Sequence, residues 1–342
     1  MSRANFLDLL NSRDWLLADG ATGTNLFAAG LQSGDAPELW NEDHPDRIRT
    51  LHRKFIEAGS DIVLTNSFGG SSYRLKLHNA EDRVHELNKK AAELAREEAD
   101  AADRPVIVAG SIGPTGEIMQ PVGSLSHEDA VKAFAEQARA LEEGGADVLW
   151  IETISSEEEF RAALEGARST SLPVVATMSF DTNGRTMMGL TPANYASLAI
   201  AAEGAPDAVG ANCGTGAGEL VAAVLGMTEA QPGAVVVAKG NCGIPAWVDG
   251  HIHYDGTPEL MADYARLALD AGAKIIGGCC GTTYDHVRAM RNSLDSYTGG
   301  SRPTIEQVEE RLGKVSALAH GRDTAAEGAA RRGREGRGRR RG

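Results

Sequence analysis

No run of about 18 consecutive apolar residues occurs in this 342-residue chain, which excludes a hydropathy-defined membrane span. The first twenty residues, "MSRANFLDLLNSRDWLLADG", interrupt their apolar stretch with charges and offer no signal-peptide core. The expected location is therefore the cytoplasm. Cysteine is scarce, with four residues at 213, 242, 279 and 280. In a reducing compartment so few thiols do not build a disulfide framework, which leaves free thiols, metal ligands or core fillers. Positive charge is short too. The formal net charge is −14, which argues against nucleic acid as the main partner. The exception is the final "RRGREGRGRRRG", with seven arginines and one glutamate. That composition reads as a disordered, solubilising tail. A contact with RNA, an anionic surface or an acidic protein is the alternative.

What the chain has is glycine, 40 residues of it, and eight short apolar or β-branched runs. They are "WLLAD", "DIVLTN", "PVIVAGSI", "DVLWIET", "PVVATMSF", "DAVGANC", "AVVVAKGN" and "KIIGGCC". Amphipathic helical segments lie between them. The clearest spans His127 to Glu143, with Val131, Phe134, Ala138 and Leu141 on one stripe and Ser126 as N-cap, Asp129 following three residues later. Several helices end in glycine before the next strand, as in "EAG" and "DAGA". Eight strand–helix units predict a single (β/α)8 TIM barrel, an α/β fold, over residues 1–300. A doubly wound open sheet is the alternative, but "DGATGTNL" after the first strand lacks the G-x-G-x-x-G spacing. Residues 301–320 read as a terminal helix, drawn from Arg302 to Leu318, and 321–342 as the disordered basic tail.

Barrel enzymes place their chemistry at the C-terminal mouth of the strands. The strand ends here deliver Asp19, Thr65, Asn66, Ser111, Glu152, Thr153, Ser179, Asn212, Cys213, Lys239, Asn241, Cys279 and Cys280. Strands six and eight approach closely enough for Cys213 to meet the adjacent pair, and three thiolates suit Zn²⁺. Neighbouring strand residues point to opposite faces, so sharing one ion requires a bend, which Gly277, Gly278 and Gly281 permit. A vicinal disulfide or simple core packing is the alternative for the pair. Cys242 reads as incidental, and His251 and His253 as a solvated turn rather than a second metal site.

The motifs "LLADGATGT", "GSDIVLTNSF", "GSIGPTG", "WIET", "GANC", "GNCGIP" and "IIGGCCGTT", from about Trp15 to Met290, resemble the homocysteine S-methyltransferase domain. That family includes betaine–homocysteine methyltransferase and the N-terminal module of cobalamin-dependent methionine synthase. The resemblance implies a zinc enzyme that methylates homocysteine, with Cys213, Cys279 and Cys280 holding the metal. Asn241 matches an occasional fourth ligand of the substrate-free site. Asp19 and Glu152 match positions that hold the homocysteine amino group; Gly20, Ala21 and Thr65 match positions near its carboxylate and backbone. On residue type alone, Asp19 can instead cap a loop and Glu152 can pair with a barrel arginine.

The donor implied is betaine or a related small onium compound, such as a sulfonium. The alternative is a homocysteine-activating subunit of a split cobalamin-dependent methionine synthase, served by a separate corrinoid protein. Betaine enzymes cage the quaternary ammonium with aromatic faces, and the aromatic that follows their second strand is replaced here by Gly69. Trp40, Phe68, Tyr73, Trp247 and Tyr254 are the remaining candidates for a donor site. The "TNSF" text is closer to the methionine-synthase module, yet no D-x-H-x-x-G corrinoid loop is present. A protein acting only through its Arg-Gly tail is the reading of a different class; it leaves the strand-end ligands without a purpose. The sequence leaves the oligomeric state open.

Overall fold

The computed structural model describes residues 5–243, 246–248 and 251–316, without the side chains of 246–248 and 251–253. Eight strands form the barrel: β1 Leu16–Leu17, β2 Ile62–Leu64, β3 Ile107–Ile112, β4 Val148–Ile154, β5 Val174–Met178, β6 Ala208–Cys213, β7 Val236–Gly240 and β8 Ala273–Gly278. All pairs are parallel, in the order β1-β8-β7-β6-β5-β4-β3-β2. The ring closes through a bridge from Ala18 to Ile62, with Asp19 N donating to Ile62 O at 3.0 Å. The eight runs read from sequence are these eight strands.

Their near-continuous burial follows from a parallel sheet covered on both faces. Alternate residues divide between two layers. Leu16, Ile62, Ile107, Val148, Trp150 and Val237 fill the barrel, while Leu17, Val63, Val108, Leu149 and Ile276 face the helices. A helix over Phe6–Ser12 packs Phe6 and Leu10 into the inner cluster. The sequence reading missed it, because a seven-residue helix shows only one i,i+4 apolar pair, too little to register as periodicity. The helix His127–Glu143 begins as expected, with Ser126 accepting from Asp129 N.

Three aspartates repeat one device at the start of β2, β4 and β6. Asp61 accepts Leu17 N at 2.9 Å, Asp147 accepts Val108 N at 2.8 Å, and Asp207 accepts Val174 N at 2.8 Å. Each thus ties its strand to the preceding odd-numbered one. Asp61 also meets Arg291 at 3.1 Å and Arg104 at 3.5 Å.

The terminal helix is Ile305–Leu312, shorter than the span expected from sequence. Thr304 and Gln307 form a capping box that starts it after Pro303, and Gly313, at φ +94°, ends it. Residues 317–342, including the arginine-rich tail, lie outside the described residues. Among the described residues no helix is long and apolar enough to cross a membrane.

Replacing Asp61 by Ala strands the buried Leu17 N–H and removes the ion pairs to Arg291 and Arg104, which keep their other partners. The expected loss of stability is about 2–3 kcal/mol, from the usual worth of hydrogen bonds to a buried charge. Asp207→Ala, whose side chain is 29% exposed, should lose less. Urea unfolding of both variants checks the order, and equal midpoints would contradict it.

Candidate active site

The expected bend at the adjacent cysteines is a turn. Cys279 N donates to Gly240 O at 2.7 Å, and Thr282 N returns to Cys279 O at 3.0 Å. Gly278 is obligatory there: a Cβ on it would lie 2.2 Å from Thr282 Cγ2. Across the mouth, Cys213 ends β6 at φ +61°, a conformation that non-glycine residues seldom adopt. The three Sγ atoms lie within 4.8 Å of one another, with Cys213 and Cys280 3.9 Å apart. Zn–S bonds of 2.3 Å in a tetrahedron place sulfurs about 3.8 Å apart, so the spacing fits that ion. All four cysteines are free thiols, so the vicinal disulfide is not formed.

Asn241 Nδ2 donates to Gly214 O at 2.6 Å, whereas its Oδ1 is buried with no hydrogen-bond partner. A buried amide oxygen left bare is costly. The Asn241 side chain bonds Cys213, which brings the amide to the sulfur cluster, where its bare oxygen fits a place in the coordination of a metal.

The thiols themselves are reluctant to ionise. For Cys213 the hydrogen bond with Cys279 lowers the pKa, but the bond with Cys280 and burial raise it to about 12. Cys280 is lowered by Cys213, then raised to about 12 by Cys279 and burial. Cys279 is pushed up as well, by its bond with Cys213 together with burial.

Asp19 is buried and fully engaged. Its Oδ2 accepts Leu64 N at 2.7 Å and its Oδ1 meets Lys239 Nζ at 2.6 Å. It therefore caps a strand, and its cation is a lysine. Lys239 is 2% exposed and stands 6.0 Å over the Trp150 ring. Burial pulls its pKa down, but Asp19 and Glu152 more than offset that and keep it charged. Burial raises the pKa of both Asp19 and Glu152, and Lys239 opposes the rise in each. One cation thus serves two carboxylates, with Asp19 in contact. Sequence reasoning placed Lys239 at a strand end without giving it a role; the signal was a lone lysine closing "AVVVAK".

Glu152 Oε1 receives the Ser111 hydroxyl at 2.5 Å, and no arginine pairs with it among the described contacts. Thr65 Oγ1 accepts Ser111 N at 2.9 Å, which joins it to the same network. Ala21 N donates to Thr282 O at 3.1 Å, and a Cβ on Gly20 would come within 2.7 Å of that oxygen. Gly20 and Ala21 therefore pack directly on the cysteine turn.

The aromatic candidates separate. Trp40 is 6% exposed, edge-on to His44 at 4.7 Å and under Arg47, in the helix-side core. It is removed from a donor site because its loop folds inward. Tyr73 packs on the same core. Phe68 is 38% exposed. Tyr254 lies over Gly281 and reaches the Cys280 sulfur. The side chains of Trp247, His251 and His253 lie outside the described residues, although their backbones form a hairpin, Ala246–Val248 with His251–His253. Cys242 is not incidental. Its thiol donates to Gly256 O at 2.9 Å beside His286 Nε2 at 3.1 Å, which clasps the base of that hairpin.

Comparison with known proteins bears on this arrangement. The family model described as homocysteine S-methyltransferase matches residues 16–294. Methionine synthase of Mycobacterium tuberculosis is 32% identical over 302 residues, which is 84% of this chain and 25% of that protein. Methionine synthase of Mycobacterium leprae is 30% identical over 319 residues, 89% of this chain and 26% of that protein. The chain thus spans about a quarter of the length of these curated relatives. The homocysteine methyltransferase MmuM from Escherichia coli is similar in structure, in an oxidized form (TM-score 0.70, 26% identity, 83% of this chain and 97% of that one). A metallated form is equally similar (TM-score 0.70, 25% identity, 83% and 98%).

Thiols with pKa values this high stay protonated near neutral pH, well below their titration range. Metal-free, reduced protein should show no thiolate ultraviolet absorbance there. Adding zinc should produce that absorbance and release protons, and Cys213→Ser should weaken both. Strong thiolate absorbance before zinc is added would contradict the geometry.

Proposed function

The chain belongs to the homocysteine S-methyltransferase family, and on that premise we propose that it methylates homocysteine to methionine at a zinc site. Cys213, Cys279 and Cys280 would hold the ion, with Asn241 Oδ1 as fourth ligand before substrate enters. The observation that carries this reading is three sulfurs within 4.8 Å, one of them bonded by Asn241, whose amide oxygen is buried and unpartnered. Zinc bound there lowers the pKa of a coordinated substrate thiol, so that the nucleophilic thiolate exists near neutral pH.

The rest is the work of the protein. Three cysteinate ligands outweigh the charge of a divalent ion, which keeps the substrate sulfur electron-rich. Glu152 takes the substrate ammonium, with the Asp19–Lys239 pair behind it. Thr65 and the backbone at Gly20 and Ala21 meet the carboxylate end. Methyl transfer is a displacement at carbon, so positioning and exclusion of water are the main demands on the site. The free thiols require a reducing compartment, which fits the cytoplasm.

For the donor, Phe68 and Tyr254 offer ring faces to betaine or a sulfonium, without Trp40. A specific observation favours the second reading. Phe27, Phe68, Ile118, Val122, Met187 and Met188 are all large, apolar and exposed. Phe27 stands on a short helix after β1, and the others in the segments that follow β2, β3 and β5, all on the side of the barrel where the strands end. An apolar rim of this kind suits a folded partner, here a corrinoid protein carrying the methyl group.

Zinc-loaded protein, homocysteine and a panel of donors decide between them. Methionine formed from betaine or a sulfonium alone establishes the small donor; methionine formed only with a methylcobalamin protein establishes the partner. No methionine with any donor would overturn the proposal. Cys280→Ala should abolish both zinc binding and turnover, while ending the chain after Leu318 should spare them.

A further inference from the structure

Glu152 does not sit on a regular strand. The register of β4 against β5 shifts between Ile151 and Ile154, so Glu152 and Thr153 form a bulge. Bulges re-aim a side chain. Here Thr153 adopts φ +62°, an outlier for a β-branched residue. Such a conformation persists only where the surroundings impose it.

Asn212 imposes it. Its Oδ1 accepts Thr153 N at 2.8 Å, and its Nδ2 donates to Thr153 Oγ1 at 2.7 Å. Thr177 Oγ1, on the intervening β5, donates to the same Oδ1 at 2.7 Å. The amide is fully buried, and its Nδ2 lies 4.0 Å from Cys279 Sγ. Asn212 also immediately precedes Cys213. One side chain therefore grips the residue after Glu152, adjoins one sulfur in sequence and touches another in space.

We infer that Asn212 is a positioning residue that fixes the distance between the ammonium partner and the sulfur site. It thereby sets the preference for homocysteine over amino-acid thiols of other chain length. The inference rests on the reading of Glu152 as the ammonium partner. A substrate held at both ends is measured by the gap between its anchors, and cysteine, one methylene shorter, cannot reach both. A mobile bulge would let Glu152 follow the shorter substrate.

The test uses zinc-loaded Asn212→Ala, with zinc stoichiometry, circular dichroism, and kcat and KM for homocysteine and cysteine. The expected result is unchanged zinc, a homocysteine KM raised roughly tenfold, the scale of a one-methylene discrimination, and a reduced preference over cysteine. Asn212→Asp keeps the acceptor but loses the donor, and should move the same way by less; it carries the test if the alanine variant does not fold. An unchanged KM and preference in the folded variants would overturn the inference, as would zinc loss with a normal KM in the loaded fraction. Glu152→Gln separates the two readings. If it raises KM while the Asn212 variants do not, the ruler fails and the clamp stands; if it leaves KM unchanged, the clamp itself fails.

Discussion

Three sulfur atoms crowded within 4.8 Å in a largely buried mouth repel charge on one another. As thiols they are each pushed well above the ordinary range, and as thiolates they demand a cation among them. The surrounding structure keeps them there regardless. The turn at Cys279–Thr282 folds back on β8 through contacts that admit only glycine at 278, and Ala21 N binds Thr282 O from the first loop. On the opposite side Cys213 is held at positive φ. These backbone contacts set the spacing of the three sulfurs, a spacing that suits a metal ion.

Beneath the sulfurs lies a second charge problem. Asp19, Glu152 and Lys239 are all buried, and two carboxylates share one ammonium. Lys239 contacts Asp19, and among the described residues Glu152 has one hydrogen-bond donor in direct contact, the Ser111 hydroxyl. In the proposed reading, Glu152 is the carboxylate left for the substrate ammonium. On that reading an amino acid bearing a thiol would complement both, its ammonium at Glu152 and its sulfur toward the cysteines.

Much of this was legible in the chain. Eight β-branched runs separated by capped helices specify the barrel, because burial on both faces and the helical period leave few other arrangements. Cys213 and the Cys279–Cys280 pair could be placed on one mouth because the barrel rule fixes which strand ends share a side. What escaped was set by contacts between elements distant in sequence. Lys239 looks like a strand-end lysine until Asp19, 220 residues away, is seen beside it. Whether Trp40 joins a donor site is open in the sequence; its burial against His44 becomes visible only in the fold. Cys242 gained its role only from Gly256 and His286. The bulge at Glu152 is invisible in "WIET", since nothing local forces Thr153 to positive φ; Asn212 does so from two strands away.

The central claim is that the cysteine trio presents a metal ion with one position open to a substrate sulfur. X-ray absorption at the zinc edge of the loaded, reduced protein measures this directly. The account predicts three sulfur neighbours and one oxygen or nitrogen neighbour before substrate, changing to four sulfurs when homocysteine is added. An unchanged coordination shell in the presence of bound homocysteine would contradict it.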